Sequence, residues 1–584
     1  MKRSVVLLTL LYYSLFSNPK LYSQIPTLNK EWEVVLGSEA KEQFDRVGFM
    51  VTDHLGFIYL ATNSPSNAIS GNKTDPSCSI ADSISTLDIW LIKLDSNGNI
   101  IWNRSIGGLD GESVNKILMA PSNSKIVLLG ASNSEVSCEK SQNRYDPNRD
   151  TWTIELNLDS NVIWDKRYGS IGKDQIYTGA ISNNGNIILA GEAEIFTPNL
   201  DVTDTNVGFL EDIWLLKLDS LGTKLWDQKY GSTLSDYAYS IVPLSDEQFL
   251  IVASTPGQKS GDLSDSSFSA MFDSTYYKLD NWILKIDENG NKIWDNRYGC
   301  LMADDAPSGA ALLNSDGNVV IGAHLGLSSL QGYFYPCNDG VADTTPRGGW
   351  DAWIYKIDTA DGHIISERRF GGDRNEVIKQ IRQTSDKGYL LACTSNSNAS
   401  FEKSENRIGT NGQNLNNYDI WLVRMDSAFN IIWDKTIGTE WYDRDPDIIV
   451  LSDSSFILAC PVELGNNFDV GLPIFDTLVT QWQGNKGDIW VSKWYIPNPA
   501  QVQEMSLASF NLHPNPVTDI LYITLQNAKN KTYHLHVQDM QGRMVVQRQL
   551  TITNSNTSVQ ESHDCRNSIY EGNIEGGSKE VVKL

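Results

Sequence analysis

One hairpin phrase, repeated seven times and broken across the two ends of its own array, constrains this chain more than any other feature. In its clearest copy it reads DIWLIKLDSNGNIIWNRSIG, Asp88 to Gly107. The first half has strand composition, Ser96-Asn97-Gly98 supplies a turn, and NIIWNRSI runs back. Trp90, Trp152, Trp214, Trp282, Trp353, Trp421 and Trp490 head successive copies, 62 to 71 residues apart. The second half recurs from Trp32, Trp102, Trp164, Trp226, Trp294, Ser366 (in place of Trp) and Trp433. Trp32 has no first half before it, and Trp490 has no second half behind it, since Pro497 and Pro499 follow. The two fragments complete each other, as they do when a ring of repeats closes.

Between hairpins each unit carries a second pair of apolar, β-branched runs around Asn, Asp and Gly, as in Lys116–Ser132, Gly179–Glu192 and Ile381–Thr394. Four strands per unit and seven units predict an all-β chain built on a seven-bladed β-propeller of four-stranded blades. A β-helix is the runner-up. Its repeats are shorter, and neither it nor an open solenoid splits a hairpin between the termini. The propeller is expected over residues 24–495.

The hairpin resembles the quinoprotein-type propeller repeat, in which a strand ending Leu-Asp, a Gly turn and a strand ending in Trp form the outer half of a blade. Leu94-Asp95, Leu218-Asp219, Ile286-Asp287 and Ile357-Asp358 fit, while Asn157 and Ser160 depart from it. The whole repeat is similar to one common in secreted proteins of the Bacteroidetes, seen in Asp212–Trp226 and Ser385–Cys393. That resemblance implies a fold and brings no chemistry.

The repeat stops near Tyr495, and residues 496–509 read as a linker. Residues 510–584 resemble the type A C-terminal sorting domain of type IX secretion, a small β-sandwich, through Pro514-Asn515-Pro516, Asp539, Gly542-Arg543 and the closing Lys579–Leu584. Asn567-Ser568-Ile569-Tyr570 stands where that family has Gly-x-Tyr. The resemblance implies the type IX machinery as a partner, and release or attachment at the outer cell surface. Met1-Lys2-Arg3 followed by the apolar Ser4–Phe16 is expected to be a signal peptide ending at Ser23, leading into the periplasm. No later apolar run reaches the length of a membrane helix. A net charge of −25 argues against nucleic acid as a partner, which needs a basic footprint.

Each second half continues to a Gly and, five residues later, an acid: Glu42, Glu112, Asp174, Asp236, Asp304, Glu376 and Asp443. Sevenfold repetition favours a brace, each acid accepting backbone N–H groups of its own turn. The functional reading is a carboxylate ring on one face that attracts a cation. The Asp-x-x-Gly turns lack the further acids of a calcium loop, so no metal is expected. The tryptophans suit interblade core better than sugar stacking. No H-E-x-x-H, G-x-S-x-G or phosphate-cradling loop occurs, and no catalytic residue or cofactor is assigned.

The irregular parts are the long loops joining second to third strands. Some share a Lys-[Ser/Thr] element, at Lys73, Lys140, Lys259 and Lys403; others are aromatic, with Tyr276, Tyr335 and Trp482 as candidate binding residues. Long loops on a rigid scaffold are where binding is usually found. Among seven cysteines, Cys78–Cys138 and Cys300–Cys337 are candidate disulfides, and Cys393 and Cys460 read as buried thiols. The expectation is a monomeric, non-enzymatic binding or adhesion module for an extracellular glycan or protein. The alternative is a secreted glycan-active hydrolase with its active site on the loop face.

Overall fold

A computed structural model describes residues 27–38, 50–64, 69–78, 87–145, 149–172, 174–193, 199–204, 210–244, 247–256, 259–264, 279–299, 307–326, 347–408, 417–440, 442–443, 445–462, 469–473 and 488–496. Beyond these it describes the backbone strands of a second unit. The two compact units are Met1–Ile496 and Pro497–Leu584.

The first unit is seven four-stranded antiparallel sheets. Six are formed by four consecutive strands each, beginning with Met50–Thr52, Ile58–Ser64, Asp88–Leu94 and Ile100–Ile106 as blade 1. The seventh takes Asp447–Ser452, Ser455–Val462 and Asp488–Tyr495 from the far end and receives Asn29–Leu36 as its outer strand. Trp32 pairs with Lys493 and Leu36 with Ile489 in that antiparallel register. The ring therefore closes through hydrogen bonds between the two ends of the repeat array.

Burial follows from this arrangement. Second and third strands are covered on both sides by neighbouring blades, so Ile58–Ser64 and Asp88–Leu94 are buried at every residue. Outer strands keep one face near solvent, and Ile101, Ile163, Leu225, Ile293, Ile365 and Ile432 are exposed at one common phase. Among the described residues, buried apolar side chains fall into seven clusters, one per blade interface. Each contains the repeat's third-strand tryptophan, with Trp494 beside Trp490 in one, and Trp90, Trp152, Trp214, Trp282, Trp353, Trp421 and Trp490 are all fully buried. Burying such large side chains at every interface contributes a large share of the apolar area that holds neighbouring blades together.

The turns between third and fourth strands explain their own sequence. Asp95 Oδ1 accepts the N–H groups of Asn97 at 2.9 Å and Asn99 at 2.8 Å, and Gly98 takes a φ of 83°. Asn157 does the same work where the Asp is missing. Gly98 also lies against the Trp32 ring of the preceding blade, where a Cβ would come within 2.6 Å of the indole.

The second unit has two antiparallel sheets, one of Ser509–His513, Ile520–Gln526 and Asn556–Ser562, the other of Thr532–Asp539, Met544–Thr551, Tyr570–Gly576 and Glu580–Val582. Pro514, Asn515, Pro516, Gly542 and Arg543, like the expected signal peptide, lie outside the described residues.

Candidate functional site

The repeated acids are placed inside the blades. Glu112, Asp174, Asp236, Glu376 and Asp443 are buried; Glu42 and Asp304 lie outside the described residues. Each of the five reaches back to the residue four earlier. Glu112 accepts the Gly108 N–H at 2.7 Å, Asp174 that of Ser170 at 2.6 Å, Asp236 that of Ser232 at 2.6 Å, and Glu376 that of Gly372 at 2.8 Å. Asp443 accepts the Thr439 N–H in the same way. Ser132 adds a hydroxyl bond to Glu112, and Ser395 and Ser397 do so for Glu376. Burial pushes the carboxyls of Glu112 and Glu376 up and that of Asp236 up to about 7. These acids brace the link from one blade to the next.

A second acceptor set, one amide and otherwise carboxylates, holds the tryptophans. The residue after each outer-strand Trp, or after Ser366 in its place, accepts the indole N–H of the same blade's third-strand Trp: Asn103 from Trp90 at 3.1 Å, Asp165 from Trp152 at 3.0 Å, Asp295 from Trp282 at 3.0 Å, Glu367 from Trp353 at 2.8 Å and Asp434 from Trp421 at 2.9 Å. The Lys-[Ser/Thr] elements belong to this arrangement and not to an open binding face. The N–H groups of Thr74, Ser141 and Ser404 donate to Asn103, Asp165 and Asp434, while Lys73, Lys140 and Lys403 are buried. Lys259 alone of the four is exposed.

The residue before the buried lysine, or before the buried Val202, Leu263 or Val470 that stands in its place, ties the loop to the inter-blade link. Glu139 accepts the Gly107 N–H and donates its own N–H to the Gly107 carbonyl; Asp201 and Gly169, Asp262 and Gly231, Glu402 and Gly371, and Asp469 and Gly438 repeat this. The long loops and the inter-blade links thus share one face. This acid was missed in the sequence, although it occurs at a fixed place in five loops. Cys78 and Cys138 form a disulfide between the loops of blades 1 and 2, their Cα atoms 6.5 Å apart. Cys393 and Cys460 are buried free thiols; Cys300 and Cys337 lie outside the described residues, as do Tyr276, Tyr335 and Trp482.

Among the described residues of the loop face, two adjacent blades depart from sevenfold symmetry with aromatics. Trp350 and Tyr418 occupy the same position, just before the first Asp of the third strand, in adjacent blades. Trp350 is 38% exposed and lies against His324 with ring centroids 5.0 Å apart. Its N–H donates to Asn375 Oδ1 at 3.0 Å, and Asn375 Nδ2 donates to the Tyr418 hydroxyl at 3.1 Å. Tyr442 meets Tyr418 edge to face at 5.6 Å. Trp350, Asn375, Tyr418 and Tyr442 form a strip running from blade 5 towards blade 7. Other blades carry Leu87, Arg149, Glu211, Leu279 and Gly487 at the Trp350 position, and that contrast was the signal available in the sequence.

The innermost strands enclose a central cavity of 540 Å³. None of the five brace acids lines it. Register shifts after Val114, Ile176, Ala238 and Ile378 mark a β-bulge in four inner strands. The bulged positions include Tyr177, Tyr239 and Lys379, all of which line the cavity. No group of three or more His, Cys, Asp or Glu placed to hold a metal occurs among the described residues.

Residues 511–584 match the family described as the secretion system C-terminal sorting domain. The regulatory protein FlaEY of Caulobacter vibrioides is 27% identical over 214 residues, 35% of this chain, and the match spans only 21% of that protein. A Dyadobacter fermentans protein of unknown function has 12% identity and a TM-score of 0.38, covering 81% of this chain and all of the other. The Neurospora crassa Pan2 WD40 domain has 10% identity and a TM-score of 0.31, covering 62% of this chain and 91% of the other. No helix among the described residues is long and apolar enough to cross a membrane. The chain is a seven-bladed β-propeller protein that carries a type IX secretion C-terminal sorting domain and is directed to the cell surface or secreted.

Proposed function

We propose that the propeller is a non-enzymatic binding module that engages an extracellular macromolecule, a glycan or a protein, through its long-loop face. The observation that carries this reading is the strip of Trp350, Asn375, Tyr418 and Tyr442, which breaks the ring's symmetry on that face. Flat aromatic surface beside an amide suits sugar rings and peptide chains alike. The repeated carboxylates support it too, because each accepts the backbone N–H of its own buried turn, as Glu112 does from Gly108 and Glu376 from Gly372. The module acts as a monomer, with the sorting domain serving export alone. The test is a panel of extracellular polysaccharides and surface proteins, scored both for binding and for product release. Saturable binding that weakens on Trp350→Ala supports the reading. Turnover of any polysaccharide overturns it in favour of a hydrolase.

A further inference from the structure

We propose that the central cavity is a second, separate site, taking a small hydroxylated ligand that carries one negative charge, such as a uronic acid sugar. The chain as a whole is strongly acidic, yet its cavity is not. Among the described residues Lys116, Lys379 and Arg382 line it, with Asp445 as the one lining acid. Lys379 is committed to Asp445 at 2.8 Å. Arg382 is committed to Asp447 at 3.2 Å, and its other nitrogen to Gln380 at 2.6 Å. Lys116 has a different partner, the neutral Thr178 hydroxyl at 3.0 Å. Three cations therefore face two carboxylates, and the surplus charge rests on Lys116. Burial foremost, then the nearby Arg382 guanidinium, act against the charged ammonium and outweigh Asp447, lowering its pKa to about 8. An anion entering beside it relieves that cost.

The rest of the lining fixes the shape of the ligand. Tyr177 and Tyr239 stand at equivalent bulges of adjacent blades and are half-buried, so their rings border the cavity. Ser240 and Ser308 add hydroxyls on the same side of the ring. Aromatic faces with hydroxyls and one surplus cation match a sugar carboxylate better than a bare inorganic anion, which needs no aromatic wall. The volume lies within the range of small-ligand sites, roughly 300–1,000 Å³. The bulge is what allows this. It lets one inner-strand position turn its side chain inward while the acid three residues earlier stays buried in its brace.

The experiment is calorimetric titration of the full chain with glucuronate, with glucose as the neutral match and sulfate as the bare anion. Binding of glucuronate but not glucose, weakened about tenfold or more by Lys116→Met, is expected. Sulfate should bind more weakly than glucuronate. Lys387→Ala, an exposed turn lysine, should leave the affinity unchanged. Lys116→Gln serves as a second variant, and an unchanged thermal midpoint shows that each variant folds. No glucuronate binding, equal binding of glucose, sulfate binding as tight as glucuronate, or full affinity in both Lys116 variants would each overturn the assignment. The loop-face reading stands or falls separately, on Trp350.

Discussion

The Trp490 indole donates to the Glu33 carboxylate at 2.9 Å across 457 residues of sequence. In the other six blades the corresponding bond stays within one covalent hairpin. Here it fastens the two ends of the array, and Glu33 also holds Lys30 at 2.7 Å and the Gly471 N–H at 3.1 Å. Glu33→Ala strands a buried indole N–H and opens the clasp, a loss of about 1–3 kcal/mol. Equilibrium unfolding in urea should show it. Asp434→Ala, the same change at Trp421 inside a covalent hairpin, should leave unfolding kinetics less affected.

The third strands of blades 1 to 6 carry a buried Asp at or next to their start with a cation near it, and the cation comes from the loop, from the outer strand or, at Asp150, from both Lys140 and Arg167. In blade 4 it is Arg297 of the outer strand, 2.6 Å from Asp280, with the apolar Leu263 in the loop. In blade 6 it is the loop's Lys403, beside Asp419, and the outer strand carries Thr436 instead. Blade 1 follows blade 6 with Lys73 and Ser105; blade 3 follows blade 4 with Val202 and Lys229. Lys403→Val should cost about 3–5 kcal/mol, because it removes the buried ammonium beside the Asp419 carboxylate. Adding Thr436→Lys should restore much of that loss. Thermal melts of the single and double variants check it, and additive losses would contradict it.

An aromatic group has changed sides at one interface. At four interfaces the outer-strand Trp lies under a turn glycine of the next blade, Trp32 under Gly98, Trp164 under Gly222, Trp226 under Gly290 and Trp294 under Gly362. Between blades 5 and 6 the Trp is Ser366 and the glycine is Phe429, which is fully buried with a φ of 65°. Phe429→Ala should open a cavity costing about 3–5 kcal/mol. Ser366→Trp alone should overpack the interface, and Ser366→Trp with Phe429→Gly should recover stability.

Burial raises Asp236 to about 7 and Asp88 to about 6. Such carboxyls bind protons more tightly folded than unfolded. Their contribution is therefore fully present below the unfolded value of about 3.9 and is lost as pH rises through the folded value. For Asp236 the loss between pH 4 and 8 is on the order of 2–4 kcal/mol. Asp236→Asn keeps an acceptor for Ser232 and does not titrate. Its melting temperature should fall less than the wild type's between pH 5 and 8, and parallel curves would contradict this.

Much of the fold was legible because the hairpin repeats by strand phase, and phase fixes which residues are buried. The split at Trp32 and Trp490 revealed the closure before any coordinates. The buried lysines were less legible. Lys73 and Lys403 stand in loops of polar composition, and only the third dimension brings them to Asp88 and Asp419. The aromatic strip escaped for a related reason. Trp350 and Tyr418 are unremarkable in local sequence and become a strip only when adjacent blades align them.

On the proposed function the repeated acids are scaffold and the loop face binds without turnover. Product release by the full chain across a polysaccharide panel tests it most directly, with Glu112→Gln and Glu376→Gln measured beside the wild type. The account predicts binding with no reducing ends released by any of the three, and lowered melting temperatures in the two variants. Reducing ends released by the wild type and abolished in either variant would contradict it.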